Sequence, residues 1–162
     1  MTSTFKEYVG DERRKGVFIE ASYTPEDCKK LHDWAKNTLH LKDPLAPHLY
    51  HTTLLYSRAQ VDAEKLITNK NPGWIVAPKS YELLGDDHEV LVLIIDAPEM
   101  IKLHQQLLKA GGTHDYDKFI PHITLSYNIK DDGLDVGSMQ VPSMHLRVSG
   151  IKAEPLDLNW KK

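Results

Sequence analysis

Two short stretches, HTTLLY at residues 51–56 and HITLSY at residues 122–127, share the pattern His-x-Thr-Leu-x-Tyr. Both are rich in the β-branched and aromatic residues that favour strands. Alternate residues of a strand project to the same face, so the pairs His51/Thr53 and His122/Thr124 would each line one face. The other face would carry the leucine and tyrosine of each copy, which we expect to enter the core: Leu54, Tyr56, Leu125 and Tyr127.

The segments around the two copies also repeat in kind. GVFIEASY at residues 16–23 predicts a strand, and Thr24 followed by Pro25 predicts the start of a helix that runs to about Leu39. WIVAPKSYELLG and HEVLVLIID predict a strand hairpin, and Pro98 begins a second amphipathic helix. We expect the apolar face of that helix to contain Met100, Ile101, Leu103, Leu107 and Leu108. Each half therefore reads as strand, helix, then a strand bearing His-x-Thr, which predicts an internally duplicated α+β domain with facing repeats.

Composition limits the function classes. The chain has 162 residues, 41% hydrophobic and 27% charged, which is typical of one domain spanning residues 1–162. A net charge of −3 disfavours a long nucleic-acid partner. The absence of a long apolar run or a secretory signal predicts a cytoplasmic protein without a membrane partner, and we expect a monomer. Cys28 is the single cysteine, so neither an internal disulfide nor a cysteine-based metal cage can form.

The chemistry implied by the motifs is acid–base catalysis. One histidine on a strand is most often structural, and the duplication is what favours a catalytic interpretation. Two facing repeats would present two imidazoles, one acting as base and the other as acid, with two hydroxyls that can bind phosphate oxygens. This set needs no metal or other cofactor to cleave a phosphodiester. The similarity of the copies leaves open which histidine is the acid.

The paired motifs and their strand–helix setting resemble the 2H phosphoesterases. The resemblance implies a bilobed LigT-like fold, in which two pseudo-symmetric lobes with antiparallel sheets form a central cleft and the helices pack outside. It also implies that His51, Thr53, His122 and Thr124 are the catalytic residues.

Within that family, the chain is similar to the anti-CBASS nucleases of tailed phages, on its length, FIEASYTPEDC, the motifs and a tail containing Glu154 and Trp160. That resemblance implies hydrolysis of 3′,5′-linked cyclic di- or trinucleotides, such as 3′,3′-cyclic GMP-AMP, in the host bacterial cytoplasm. Base contacts are expected from Tyr23 and Trp160 by stacking and from Glu154 by hydrogen bonding. The alternatives for the tail residues are that Trp160 covers the core edge and that Glu154 faces solvent.

Two other functions remain open from the sequence. An RNA-end 2′,3′-cyclic phosphodiesterase would use the same catalytic residues, although such enzymes often have more basic surfaces. A non-catalytic cyclic-nucleotide sponge would keep the fold without turnover, and the two intact motifs argue against it.

Overall fold

A computed structural model describes residues 16–115 and 118–156. Within these residues six strands and three helices follow one another, with short 3₁₀ turns at Pro47–Leu49 and Val136–Ser138. In chain order they are β1 (Val17–Tyr23), α1 (Pro25–Asn37), β2 (His51–Ser57), α2 (Ala63–Leu66), β3 (Ile75–Leu84), β4 (Val90–Asp96), α3 (Pro98–Lys109), β5 (His122–Ser126) and β6 (Leu146–Pro155). Both His-x-Thr motifs lie on strands, as the sequence predicts.

The strands form a sheet in the order β2-β1-β6-β3-β4-β5, and every neighbouring pair is antiparallel. The sheet consists of two three-stranded halves, β2-β1-β6 and β3-β4-β5. In the described part of the chain, the strand pairing between the halves is that of Ile75 and Val76 of β3 with Arg147 and Leu146 of β6. The motif strands β2 and β5 stand at opposite ends of this order and are nevertheless in contact. The predicted α+β duplication is therefore confirmed, and the sheet curves so that the two motifs meet.

Helix α1 begins where the sequence predicts. The Thr24 hydroxyl accepts a hydrogen bond of 3.3 Å from the backbone N–H of Asp27, and Pro25 occupies the first turn. The helix ends at Asn37, two residues before the predicted Leu39, which is buried beyond it. No helix among residues 16–115 and 118–156 has the length and apolarity to cross a bilayer.

The buried face of α3 differs from the predicted one. Met100, Leu103 and Leu107 are buried, but Ile101 and Leu108 are each 38% exposed, so their predicted core positions are wrong. His104, only 3% exposed, completes the buried i, i+3, i+4, i+7 stripe instead. Its Nδ1 donates a 2.7 Å hydrogen bond to the Leu54 carbonyl, which satisfies the polar atom that makes an imidazole costly to bury.

A β-bulge interrupts each motif strand at the same place. In β2, Thr53 pairs with Glu20 and Leu55 with Ile19, which leaves Leu54 as the extra residue. In β5, Thr124 pairs with Val92 and Ser126 with Leu91, which leaves Leu125 as the extra residue. A bulge shifts the alternation of side chains by one position.

The bulges reverse the orientation predicted for the tyrosines. Leu54 and Leu125 are buried, as predicted, but the residue after each of them is buried as well. Tyr56 is consequently half-buried and Tyr127 is 57% exposed. The prediction that these two tyrosines enter the core is wrong, because strict alternation does not continue past the extra residue.

Candidate active site

The two motif histidines are held by the same backbone hydrogen bond. His51 Nδ1 lies 2.9 Å from the carbonyl oxygen of Leu49, and His122 Nδ1 lies 2.8 Å from that of Ile120, in each case two residues earlier in the chain. A carbonyl oxygen only accepts, so each Nδ1 carries the proton and donates it. In the neutral imidazole the lone pair is then on Nε2. Both rings therefore present the nitrogen suited to proton transfer on the side away from the backbone.

The threonines share the exposed face of the histidines. His51 and Thr53 are half-buried, whereas Thr52 between them is 1% exposed. In the second copy His122 and Thr124 are half-buried on either side of fully buried Ile123. The predicted alternation of exposed and buried side chains therefore holds up to each bulge. Strands β2 and β5 are in contact, so the two His/Thr pairs lie on neighbouring strands.

The strands beside β2 extend this face in cross-strand rows. Thr53 pairs with Glu20 of β1, and Glu20 pairs in turn with Lys152 of β6. One row further on, Tyr56 pairs with Phe18, and Phe18 pairs with Glu154. The face that carries the catalytic candidates thus continues into a charged row and then into an aromatic row that ends at a carboxylate.

Glu20 makes the two half-sites unequal. Its Oε2 lies 3.8 Å from Nε2 of His51, within ion-pair range when the imidazole is protonated, and the two side chains are 24% and 31% exposed. In the second lobe, the residue paired with Thr124 is Val92, which is apolar and fully buried. Glu20 is not among the site residues predicted from the sequence. The signal was a carboxylate in GVFIEASY at a position that alternates with the apolar residues Val17, Ile19 and Ala21.

Tyr23, predicted to stack on a base, lies in the core. It is 4% exposed, and its hydroxyl forms a 2.6 Å hydrogen bond with the hydroxyl of Thr52. Burial raises the pKa of its phenol well above the usual value, and the hydrogen bond to Thr52 opposes this only in part. A ring enclosed in this way has no face to offer a nucleobase. We therefore correct the expectation for Tyr23, whose alternation with Ala21 and Ile19 already placed it on the core face of β1.

The two tail residues differ in what the structure shows. The Glu154 side chain is 45% exposed and forms a 2.9 Å ion pair with Lys152. Its place in the aromatic row puts it on the same face as His51, two rows away. Trp160 lies outside the described residues. Within residues 16–115 and 118–156, no three His, Cys, Asp or Glu side chains are grouped as ligands for a metal ion.

Comparison with solved structures identifies the fold. A phosphoesterase crystal structure aligns with a TM-score of 0.57 at 19% identity, covering 85% of both chains. Escherichia coli LigT in complex with 3′-AMP aligns with a TM-score of 0.55 at 18% identity, also covering 85% of each chain. The fold is therefore the LigT-like fold predicted from the motifs.

Sequence comparison identifies the family. Residues 15–162 match the family model described as anti-CBASS protein Acb1. A curated relative, anti-CBASS protein Acb1 of Vibrio phage KVP40, is 33% identical over 127 residues, which is 77% of this chain and 78% of the relative. The chain belongs to the Acb1 family, and this membership together with the LigT-like fold identifies a phosphodiesterase of the 2H class.

Proposed function

We propose that this protein hydrolyses 3′,5′-linked cyclic di- and trinucleotides, such as 3′,3′-cyclic GMP-AMP, and that it acts as a monomer in the cytoplasm of an infected bacterium. The anti-CBASS name of the family supports a cyclic oligonucleotide messenger as the substrate. The observation that carries the proposal is the matched pair of imidazoles, each with Nδ1 bound to a backbone carbonyl and Nε2 available for proton transfer.

The reaction that this pair supports needs one base and one acid. The base removes the proton of a ribose 2′-hydroxyl, whose oxygen then attacks the adjacent phosphorus. The acid protonates the departing 5′-oxygen, so the ring opens and leaves a 2′,3′-cyclic phosphate. Reversal of the two roles activates water and yields a 3′-phosphate. The hydroxyls of Thr53 and Thr124 donate hydrogen bonds to the non-bridging oxygens, where negative charge accumulates.

Glu20 favours one assignment of the roles. Its Oε2 lies 3.8 Å from Nε2 of His51, within ion-pair range of an imidazole that carries the proton to be donated. In the second lobe the position that corresponds to Glu20 is Val92, because Val92 pairs with Thr124 as Glu20 pairs with Thr53. Val92 is buried and carries no charge. We therefore assign His51 as the acid and His122 as the base of the ring-opening step.

Base recognition is assigned in part to Glu154. A carboxylate at the end of the aromatic row can accept a hydrogen bond from the exocyclic amine of adenine or guanine. Such binding would break the ion pair between Glu154 and Lys152 that the free protein forms. For Trp160 we keep the prediction of a stacking contact.

The test is incubation of the purified protein with 3′,3′-cyclic GMP-AMP in excess EDTA, with the products separated by chromatography and identified by mass. Linear products ending in a 2′,3′-cyclic phosphate or a 3′-phosphate are expected. His51→Ala and His122→Ala should each abolish turnover with an unchanged circular dichroism spectrum. His145→Ala, an exposed histidine just before β6, is the matched control and should retain full activity.

Three other results would contradict the proposal. Activity confined to terminal 2′,3′-cyclic phosphates of RNA would indicate an RNA-end phosphodiesterase. Recovery of bound but unchanged ligand would indicate a sponge. Loss of the folded spectrum in both histidine variants would mean that the two imidazoles are structural.

A further inference from the structure

The tyrosine repeated in both motifs has no role in the acid–base chemistry. Strict alternation would turn it inward, but the bulges at Leu54 and Leu125 return it to the face of the histidine and threonine. Tyr56 is half-buried there and Tyr127 is 57% exposed. Two copies of one irregularity with the same outcome indicate a function for the ring on that face.

The symmetry of the sheet places one tyrosine on each side of the site. The strand order reads β2-β1-β6 in one half and β5-β4-β3 in the other, so β2 corresponds to β5 and Tyr56 to Tyr127. Residues related by a twofold axis lie on opposite sides of it. A scissile phosphodiester at the axis likewise has one nucleoside on each side.

We propose that Tyr56 and Tyr127 are the stacking platforms for the two nucleobases that flank the scissile phosphate. This inference rests on the proposed function, because it requires a substrate with a base on both sides of the bond. Tyrosine suits the role because it offers a large rigid π-face, on which any base can stack. The pair would therefore bind the substrate without strict base selection.

The spacing along the strand fits a nucleoside. His51 pairs with Ser22 and Tyr56 with Phe18, so the two rows are separated by about 13 Å at about 3.3 Å per residue. The Thr53 row lies between them. A phosphate held by His51 and Thr53 thus has room for its ribose before the base reaches the tyrosine.

Tyr56 sits in a setting that orients its ring. Phe18 meets it edge to face, with ring centroids 6.4 Å apart and an interplanar angle of 75°. The Arg58 guanidinium lies 5.9 Å from the ring centroid and is itself held by Asp115 at 3.1 and 3.3 Å. Glu154 ends the same row, about 10 Å away across two strand spacings, where it can reach the polar edge of a base on Tyr56.

Tyr127 has a more open setting. It follows Ser126, the last residue of β5, which pairs with Leu91, and it precedes Ile129, whose N–H donates to the Glu89 carbonyl. Tyr127 is 57% exposed, whereas Tyr56 is half-buried. The second base would therefore meet a more solvent-exposed ring, so base preference should be weaker on this side.

The test compares kcat/KM for 3′,3′-cyclic GMP-AMP in Tyr56→Ala, Tyr127→Ala, Tyr56→Phe and Tyr127→Phe. Each alanine variant should lose roughly 5- to 150-fold, the range expected for one stacked base. The phenylalanine variants should stay within about twofold of wild type, because stacking needs the ring and not the hydroxyl. Ile101→Ala, an exposed apolar residue on the outer helix, is the matched control and should be unchanged.

A second measurement reports stacking itself. A cyclic dinucleotide containing 2-aminopurine, whose fluorescence is quenched by stacking, is bound to the inactive His122→Ala protein. Adding Tyr56→Leu or Tyr127→Leu, which keeps apolar bulk but removes the ring, should relieve part of the quenching at saturating protein.

The outcomes separate this inference from the proposed function. Failure of the wild-type protein to cleave any cyclic dinucleotide would overturn the proposed function. The tyrosine proposal alone would be overturned if the wild-type protein cleaves the substrate, both alanine variants have the same kcat/KM as the wild type, and both leucine variants leave the quenching unchanged.

Discussion

His104 links helix α3 to the bulge of the first motif, and its replacement by phenylalanine tests whether that link stabilises the fold. The imidazole is 3% exposed, donates to the Leu54 carbonyl at 2.7 Å and stacks on Phe119 with ring centroids 4.0 Å apart. His104→Phe keeps an aromatic ring of similar shape and removes the donor. The buried Leu54 carbonyl then loses this partner, and we expect the free energy of unfolding to fall by about 1–3 kcal/mol.

The pH dependence provides the sharper test. Burial lowers the pKa of His104 below its usual 6.5, opposed by the hydrogen bond to Leu54. The ring centroids of His104 and His114 lie 4.5 Å apart. The pKa of His114 is also lowered, first by burial and then by the neighbouring His104, while Asp115 opposes the shift. Below pH 6.5 the unfolded chain binds protons that the folded chain resists, so the stabilisation present above 6.5 is lost as pH falls towards the folded pKa. Each such group contributes at most about 1.4 kcal/mol per pH unit.

Urea denaturation at pH 8, 7, 6 and 5.5 measures both effects. His104→Phe should be less stable than wild type at pH 8, and the difference should shrink towards pH 5.5, because the variant lacks one of the two titrating groups. His104→Asn, which restores a donor near the Nδ1 position, should recover part of the stability at pH 8, and exposed His145→Ala should stay within about 0.5 kcal/mol of wild type. A difference between His104→Phe and wild type that is constant from pH 8 to 5.5 would refute the reasoning.

Three further changes test other features. Glu20→Gln removes the carboxylate 3.8 Å from Nε2 of His51, so we expect kcat/KM to fall about 2- to 5-fold; an unaltered kcat/KM would contradict the acid assignment. Tyr23→Phe removes the buried hydrogen bond to Thr52, which should lower the unfolding free energy by about 1–2 kcal/mol while leaving kcat/KM unchanged, whereas a loss of substrate affinity would restore the predicted base contact. Gly16→Ala, at φ +77° with a new Cβ that would clash with the Ser57 carbonyl oxygen, should lower the stability in thermal melts by clearly more than Gly133→Ala. Gly133 has φ +63° and open space around it, so about 1–2 kcal/mol is expected there.

The sequence predicts the fold well because its local signals agree with one another. Thr24 and Pro25 mark the start of α1, and alternation places His51 and Thr53 on one face. The predicted face of α3 fails in part because a face chosen by apolar residues does not include a histidine. His104 can be buried because it donates a hydrogen bond to the Leu54 carbonyl. Leu54 lies fifty residues away in the chain, so the helical period does not reveal this partner.

The predicted site is less complete because sheet geometry is not local. A bulge depends on how a strand pairs with its neighbour, so the orientation of Tyr56 and Tyr127 could not be obtained from alternation alone. One signal was present in HTTLLY, where two adjacent leucines break the alternation expected of a strand with one exposed face. Glu20 becomes a candidate only when the register pairs it with Thr53.

The position of β6 has a consequence for how the protein is made. This strand follows the other five described strands in sequence, yet it lies between β1 and β3 at the middle of the sheet. During synthesis, the edge of β1 that pairs with β6 stays unpaired until residues 146–155 appear. The two halves of the sheet share no strand pairing before then. Assembly of the sheet is therefore a late event, in which emerging chains are exposed to edge-to-edge association. A frameshift or stop codon ahead of residue 146 would remove the strand that pairs with both lobes, while leaving both His-x-Thr motifs in the chain.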